Sequence, residues 1–212
     1  MCLLRTTRMK VAILGSGSVG KALQKTFSRS GLTVALGARK TEGLDAGITV
    51  MGLKQAVEWG TVIFIALPAH VSLDVAKELQ ASLKGKVVVD CTNPLKFDAN
   101  GPVWDAPARG SITAELVAIL PQSHIVKAFN TFGAIHMEKP ALTGSPTDVF
   151  LAGDDAEAKK AVTEICAKTG FRFTDAGPLR NAAVLENVAM LWIHLAVKGG
   201  NGPEFTIGTL PV

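Results

Sequence analysis

The chain has 212 residues, 48% of them hydrophobic and 19% charged, enough apolar material for one large domain or a domain with a small appendage. A formal net charge of +4, with no basic stripe interleaved with aromatics, excludes a typical nucleic-acid binder. Three scattered cysteines and four scattered histidines make no disulfide framework and no zinc site, and they suit a reducing cytoplasm.

Charge is unevenly spread. No Asp or Glu precedes Glu42, whereas Arg5, Arg8, Lys10, Lys21, Lys25, Arg29, Arg39 and Lys40 do. This is either a solvated basic face or a field that attracts a small polyanion. Met1 to Arg8 lack an apolar run of signal-peptide length and read as a short extension, with folded structure beginning near Met9.

In chain order, Lys10 to Leu14 is an apolar run ending in glycine, which predicts a strand buried on both faces. Ser18 to Arg29 reads as a helix, Leu32 to Leu36 as a second strand, Ile48 to Met51 as a short third and Leu53 to Trp59 as a short helix. Thr61 to Leu67 predicts a strand stopped by Pro68, Val71 to Leu83 a helix and Lys86 to Asp90 a further strand. Asn93 to Arg109, with Pro94, Gly101, Pro102 and Pro107, reads as a long irregular loop, a kind of segment that is usually functional or mobile. Ser111 caps a helix running to Leu120, and Ile125 to Phe129 is again a strand. Beyond Pro140, Val149 to Ala152 and Phe171 to Thr174 read as strands. Between them lies a helix opened by a capping box at Asp154 and Glu157. Pro178 opens a last long helix that ends at Gly199. Its apolar part, Ala182 to Val197, is interrupted by Glu186, Asn187 and His194 and is shorter than the about 20 apolar residues of a membrane span. No membrane contact is expected.

Alternating strands and helices predict a doubly wound α/β fold with a parallel sheet covered on both faces. The expected division is a Rossmann domain over 9–140 and a small C-terminal α/β domain over 141–212 that closes the cleft. Ligands in such folds sit at the carboxyl ends of the strands.

One motif stands in that context. Gly15-Ser16-Gly17-Ser18-Val19-Gly20 is G-x-G-x-x-G between a predicted buried strand and a predicted helix. Gly15 permits the tight turn, Gly17 lets backbone approach a pyrophosphate, and Gly20 lets helix pack on strand. A helix N-terminus there offers N–H groups and a positive dipole end to phosphate. An NAD site would place an acid at the end of the second strand to hold the ribose hydroxyls. This chain has Ala38-Arg39-Lys40 instead, which points to the 2′-phosphate of NADP(H). A charge-assisted hydrogen bond of about 1.5–3 kcal/mol would favour NADP by roughly tenfold to a hundredfold.

The chemistry is narrowed by elimination. Tyrosine is absent from the chain, which closes the short-chain dehydrogenase route. There is no G-x-S-x-G elbow and no nucleophile–base pair. His70, His136 and His194 read as structural rather than catalytic. Hydride transfer between a nicotinamide and a flavin-like ring needs no protein acid, only stacked and oriented rings. Asn93, before Pro94 at one strand end, could bond the nicotinamide amide. At the next strand end, Phe132 could pack on a flat ring or belong to the core, and Gly133 keeps the backbone close.

These residues as a set resemble the coenzyme F-420 (F420)-dependent NADP oxidoreductases and the related cytosolic oxidoreductase domain of the STEAP metalloreductases, from about Met9 to the C-terminus. The resemblance rests on Gly15 to Gly20, Gly37-Ala-Arg-Lys40, Leu67-Pro68, Asp90-Cys-Thr-Asn-Pro-Leu95, Val126-Lys-Ala-Phe-Asn-Thr131, Ala152-Gly-Asp-Asp155 and Asp175-Ala-Gly-Pro-Leu179. It implies that Ala38 and Arg39 hold the 2′-phosphate and that Leu67 and Pro68 line the dinucleotide path. It puts Asn130, Thr131, Phe132 and Ala134 near the ring site, which Phe205 completes, often across a homodimer. Where the deazaflavin enzymes tend to have His-Thr-Ile-Pro, this chain has Asn130-Thr-Phe-Gly133, closer to the flavin-using STEAP domains. FMN, FAD and F420 are therefore all candidates for the second ring, and the expected partner is a small-molecule electron acceptor. Two other functions fit the dinucleotide motif: an NADPH-binding redox sensor without turnover, and an imine or keto reductase, though the latter usually adds a long helical domain.

Overall fold

A computed structural model describes residues 9–39, 47–105, 107–142 and 144–209. The expectations for Met1 to Arg8 and for Lys40 lie outside these residues.

β1 (Lys10–Leu14) is the hub of an eight-stranded sheet. Its apolar run has a simple cause. Successive strand side chains point to opposite faces: Val11 and Ile13 enter one core cluster, and Ala12 and Leu14 enter the other. All four are wholly buried. The first cluster takes in Leu23 and Phe27 of α1 (Ser18–Arg29), Met137 of α6 (Ala134–Glu138) and Val162 and Ile165 of α7 (Ala156–Thr169). The second takes in Ala56 and Val57 of α2 (Leu53–Trp59), Val75 and Ala76 of α3 (Ala69–Glu78), Leu83 of α4 (Gln80–Leu83) and Leu116 of α5 (Ile112–Ile119). The fold is thus α/β and Rossmann-like, with helices on both faces.

The remaining strands of the sheet are β2 (Thr33–Gly37), β3 (Val50–Met51), β4 (Val62–Ile65), β5 (Val87–Asp90), β8 (His124–Lys127), β9 (Asp148–Gly153) and β10 (Arg172–Asp175). Their order is β10-β9-β8-β5-β4-β1-β2-β3. From β8 to β3 every pairing is parallel. The chain leaves β1 first toward β2 and β3, then returns to β4 on the other side. This makes the carboxyl end of β1 a topological switch point.

Three expectations change. The sheet is not parallel throughout, because β9 runs antiparallel to β8. The sheet also continues across residue 140, with β9 and β10 forming its far edge. The stretch read as an irregular loop contains a hairpin, β6 (Leu95–Asp98) and β7 (Gly101–Trp104), in a separate two-stranded sheet. Ala99-Asn100 makes its turn and Gly101, at φ 115°, opens the second strand opposite Asp98; a turn followed by a left-handed glycine is a hairpin signal, masked here by the prolines around it.

The helix starts are local chemistry. Ser111 accepts from Ala114 N at 3.0 Å and caps α5. On α7 the cap falls one residue later than expected. Asp155 accepts from Ala158 N at 2.8 Å, while Asp154 accepts from Leu179 N. The Ala158 N–H bond holds the Asp155 carboxyl below its usual range. Asp155→Ala should cost about 1 kcal/mol in a urea melt; an unchanged midpoint would show that the cap carries no weight.

Candidate functional site

The three motif glycines are required for different reasons. Gly15 has φ 121°, and a Cβ there would stand 2.3 Å from the Ala66 carbonyl oxygen. A Cβ on Gly20 would stand 2.0 Å from the Gly15 carbonyl oxygen. Both positions are closed by the protein's own backbone. Gly17 is different: a Cβ there meets nothing within 4 Å. Nothing in the folded chain demands glycine at 17, so what would need the space is a ligand lying on the backbone. Gly17 is also the N-cap of α1, whose first turn has neither a side-chain cap nor an acid. The positive end of the helix is left for an anion.

Gly15, Ser16 and Gly17 share a cleft of about 500 Å³ with Gly37, Ala38, Arg39, Leu53, Ala66, Leu67, Pro68 and Val71. The Gly15 N–H bonds the Gly37 carbonyl at 2.8 Å, which ties the glycine turn to the end of β2. A second cleft, of about 780 Å³, also has Ala38, Arg39, Leu53 and Val71 in its wall, with Lys54 among the other residues. Exposed Arg39 stands at both. The glycine turn, the β2 end and the loop after β4 therefore converge as a dinucleotide requires. Ser18, Val19 and Gly20 form the first turn of α1.

The other expected residues gather at the ends of β5 and β8. With strands about 4.8 Å apart, the β5 end lies roughly 10 Å along the sheet edge from the glycine turn. Asn93 Nδ2 donates to the Asn130 carbonyl at 2.9 Å, and Asn130 Nδ2 donates to Asn93 Oδ1 and to the Leu185 carbonyl, each at 3.0 Å. The two carbonyl acceptors fix which way both amides face. Asn130 Oδ1 is buried and lacks a partner among the described residues, a missing polar contact at the β8 end. Pro94 and Thr131 are buried beside this pair, and half-buried Ala134 opens α6.

Phe132 resolves to the core. It is 5% exposed and stacks on Phe171 with centroids 6.0 Å apart. Its neighbour Phe129, at φ 59° the non-glycine residue with positive φ among those described, sits among Phe27, Phe64, Phe132 and Phe171. Packing on four sides holds that strained turn. Phe205 is in the tail, stacked on Trp192 with centroids 5.5 Å apart, and its carbonyl accepts from the Trp192 indole N–H at 2.8 Å. Trp192 in turn lies against Gly133, where a Cβ would stand 2.5 Å from the indole. That aromatic wall was readable only in part: Trp192 carries no sequence signal beyond being an aromatic in an apolar helix.

The tail is fastened at its far end by Asp148. Its carboxylate, side chain fully buried, pairs with the Arg172 guanidinium and accepts the Thr209 N–H and hydroxyl. Burial pushes this carboxyl up, but the bonds from Arg172 and Thr209 outweigh it and hold it low. A depressed folded value gives stability that is present above the unfolded value of about 3.9 and lost as pH falls through the folded one. Acidification below about pH 4 should therefore release residues 203–209. Rising amide exchange at Thr209 would report this, and unchanged protection at low pH would contradict it.

A charged cluster with no counterpart in the sequence expectations lies beside the Asn93–Asn130 pair. Lys127, Asp90 and Glu186 have wholly buried side chains, with Lys127 Nζ 3.0 Å from each carboxylate. Asp90 and Lys127 are register partners at the ends of β5 and β8. Glu186 reaches in from α8 (Ala182–Val197) and accepts from the Ile112 and Thr113 N–H groups, so the α5 N-terminus compensates the second carboxylate. Burial works against the Lys127 ammonium, but the two carboxylates more than reverse it, and its pKa is raised. Burial pushes Glu186 up as well. A lone lysine in the apolar run from Ile125 to Phe129, and a lone glutamate in an apolar helix, were the available signals. Among the described residues no group of three or more His, Cys, Asp or Glu is placed to hold a metal, and no helix is long and apolar enough to cross a membrane.

This is a Rossmann dinucleotide-binding protein whose second strand is followed, two residues on, by Arg39. The family model for coenzyme F420-dependent NADP oxidoreductases matches residues 10–94. The F420-dependent NADP reductase of Methanocaldococcus jannaschii is 30% identical over 217 residues, covering 90% of this chain and 93% of that one. Metalloreductase STEAP3 of Rattus norvegicus is 32% identical over 186 residues, 85% of this chain but 36% of that longer protein. A crystal structure from Arthrobacter sp. FB24, provisionally assigned as an F420-dependent NADP-reductase, superposes with a TM-score of 0.82 at 24% identity, covering 95% of this chain and all of that one. The chain belongs to the F420-dependent NADP oxidoreductase family, and NADP-dependent oxidoreduction is its class of chemistry.

Proposed function

We propose that the chain passes a hydride directly between NADP(H) and a flavin or deazaflavin ring. One observation carries this reading: among the described residues, every titratable side chain at the β5 and β8 ends is sealed or inert. Asp90, Lys127 and Glu186 are wholly buried and paired. Burial pushes the Cys91 thiol up, out of reach of ionisation near neutrality. The half-buried side chains there are those of Asn93 and Ala134, neither of them titratable. His136 is buried against the Pro203 carbonyl. His70 is exposed in the first turn of α3, outside both clefts.

A carbonyl or imine acceptor needs a proton delivered as the hydride arrives, and hence a positioned acid. A flavin-like ring needs orientation and exclusion of water, because the cofactors carry the chemistry. Bound NADP(H) supplies the hydride at its nicotinamide ring. The chain's part is to hold the 2′-phosphate with Arg39, the pyrophosphate on the Gly15–Gly17 backbone, and the carboxamide against Asn93 and Asn130, whose unpartnered Oδ1 suits an N–H donor. Half-buried Phe205, backed by the buried Trp192 indole, would supply a flat wall for the second ring.

Purified protein given NADPH with FMN, FAD or F420 in turn should oxidise NADPH with at least one of them. Absence of oxidation with all three, with NADPH still bound, would favour a sensor module.

A further inference from the structure

The Asp90–Lys127–Glu186 cluster is used by no step above, yet it costs the fold the desolvation of three charges. Buried ion clusters are commonly no more stable than well-packed apolar side chains in their place. Its connections say what else it can do. Lys127 Nζ donates to the Thr92 carbonyl, one residue before Asn93. Asp90 Oδ1 accepts from the Thr92 N–H and hydroxyl at 2.9 and 2.7 Å, and its Oδ2 accepts from the Thr113 hydroxyl at 2.6 Å. Glu186 brings in α8, where the next residue back, Leu185, accepts from Asn130. One ammonium therefore cross-braces the 91–94 segment, the end of β8 and the helix that carries Trp192.

We propose that Lys127 is a positioning residue for the nicotinamide end of the crevice, fixing the Asn93–Asn130 pair at one separation and docking α8 against it through Glu186. The proposal rests on the NADP(H) reading above. The cluster lies on the ring side of the sheet edge and touches none of the Gly15, Arg39 or Leu67 lining. Its effect should therefore be confined to the nicotinamide half of the ligand. A purely stabilising staple has no reason to make that distinction.

The test compares NADPH with 2′,5′-ADP, which keeps the 2′-phosphate and adenosine but lacks the nicotinamide, by calorimetric titration of the full chain. Glu186→Gln keeps the shape and an acceptor for the α5 N–H groups while weakening the hold on Lys127. It guards against Lys127→Met failing to fold. Either variant, folded by thermal melt, should bind NADPH about five- to tenfold more weakly, the loss of one to two hydrogen bonds, with 2′,5′-ADP unchanged. Adding Asn93→Ala to Glu186→Gln should cost little more, because both act through one contact. Unchanged NADPH affinity, parallel loss of both ligands, or equal wild-type affinity for the two would each overturn the proposal. Failure of wild-type protein to bind either ligand would instead remove the NADP(H) reading itself.

Discussion

Gly17→Ala is expected to leave the protein folded and to cost at least about tenfold, or 1.4 kcal/mol, in NADPH affinity, whereas Gly20→Ala is expected to damage the fold itself. The contrast follows from what each methyl would meet. At Gly20 it would stand 2.0 Å from the Gly15 carbonyl oxygen, a backbone atom that cannot move without breaking the turn. Overpacking costs about 1–3 kcal/mol and occasionally more, and a clash with backbone rather than with a flexible side chain belongs at the upper end. At Gly17 the methyl meets nothing within 4 Å, the backbone is extended at φ −74° and ψ −172°, and alanine at an N-cap costs less than about 1 kcal/mol. A thermal melt beside a calorimetric titration separates the outcomes. A Gly17→Ala protein that melts normally and binds NADPH normally would show that no phosphate lies on that backbone.

Arg39→Ala should weaken NADPH binding by about tenfold to a hundredfold while leaving NADH binding nearly unchanged, since only NADPH carries a group for a charge-assisted bond at that point. Arg39 is exposed at the end of β2 and stands at the walls of both clefts, so its removal leaves no cavity and no buried orphan. Equal loss for the two dinucleotides would mean that it packs on the adenosine rather than reading the phosphate.

The strand, glycine turn and helix at the start of the chain were legible because their determinants are local. A buried run, a turn and a helix N-terminus occupy adjacent residues from Lys10 onward. Arg39 was legible for the same reason. What could not be read depends on partners distant in sequence. Phe132 had two fates open to it, and Phe171, thirty-nine residues on, decides for the core. Lys127, on a strand, needs Glu186 from the distant helix α8, and nothing local announces that pairing. The antiparallel turn of β9 against β8 was hidden because a buried strand has the same composition in either direction. The 95–104 hairpin was hidden by Pro102 and by Pro94 and Pro107 on either side of it. Pro102 is tolerated there because the arm has only two strands, so both are edges.

The central claim is hydride transfer between two rings without a proton from the protein. Its most direct test is single-turnover mixing of NADPH-loaded protein with the active ring, following both absorbance bands across about pH 6–8, where a histidine acid would titrate. Direct transfer predicts that NADPH loss and ring reduction share one rate, that deuterium at the transferred position slows both, and that the rate is flat across this range. A bell-shaped profile, or NADPH oxidation that precedes ring reduction, would contradict it.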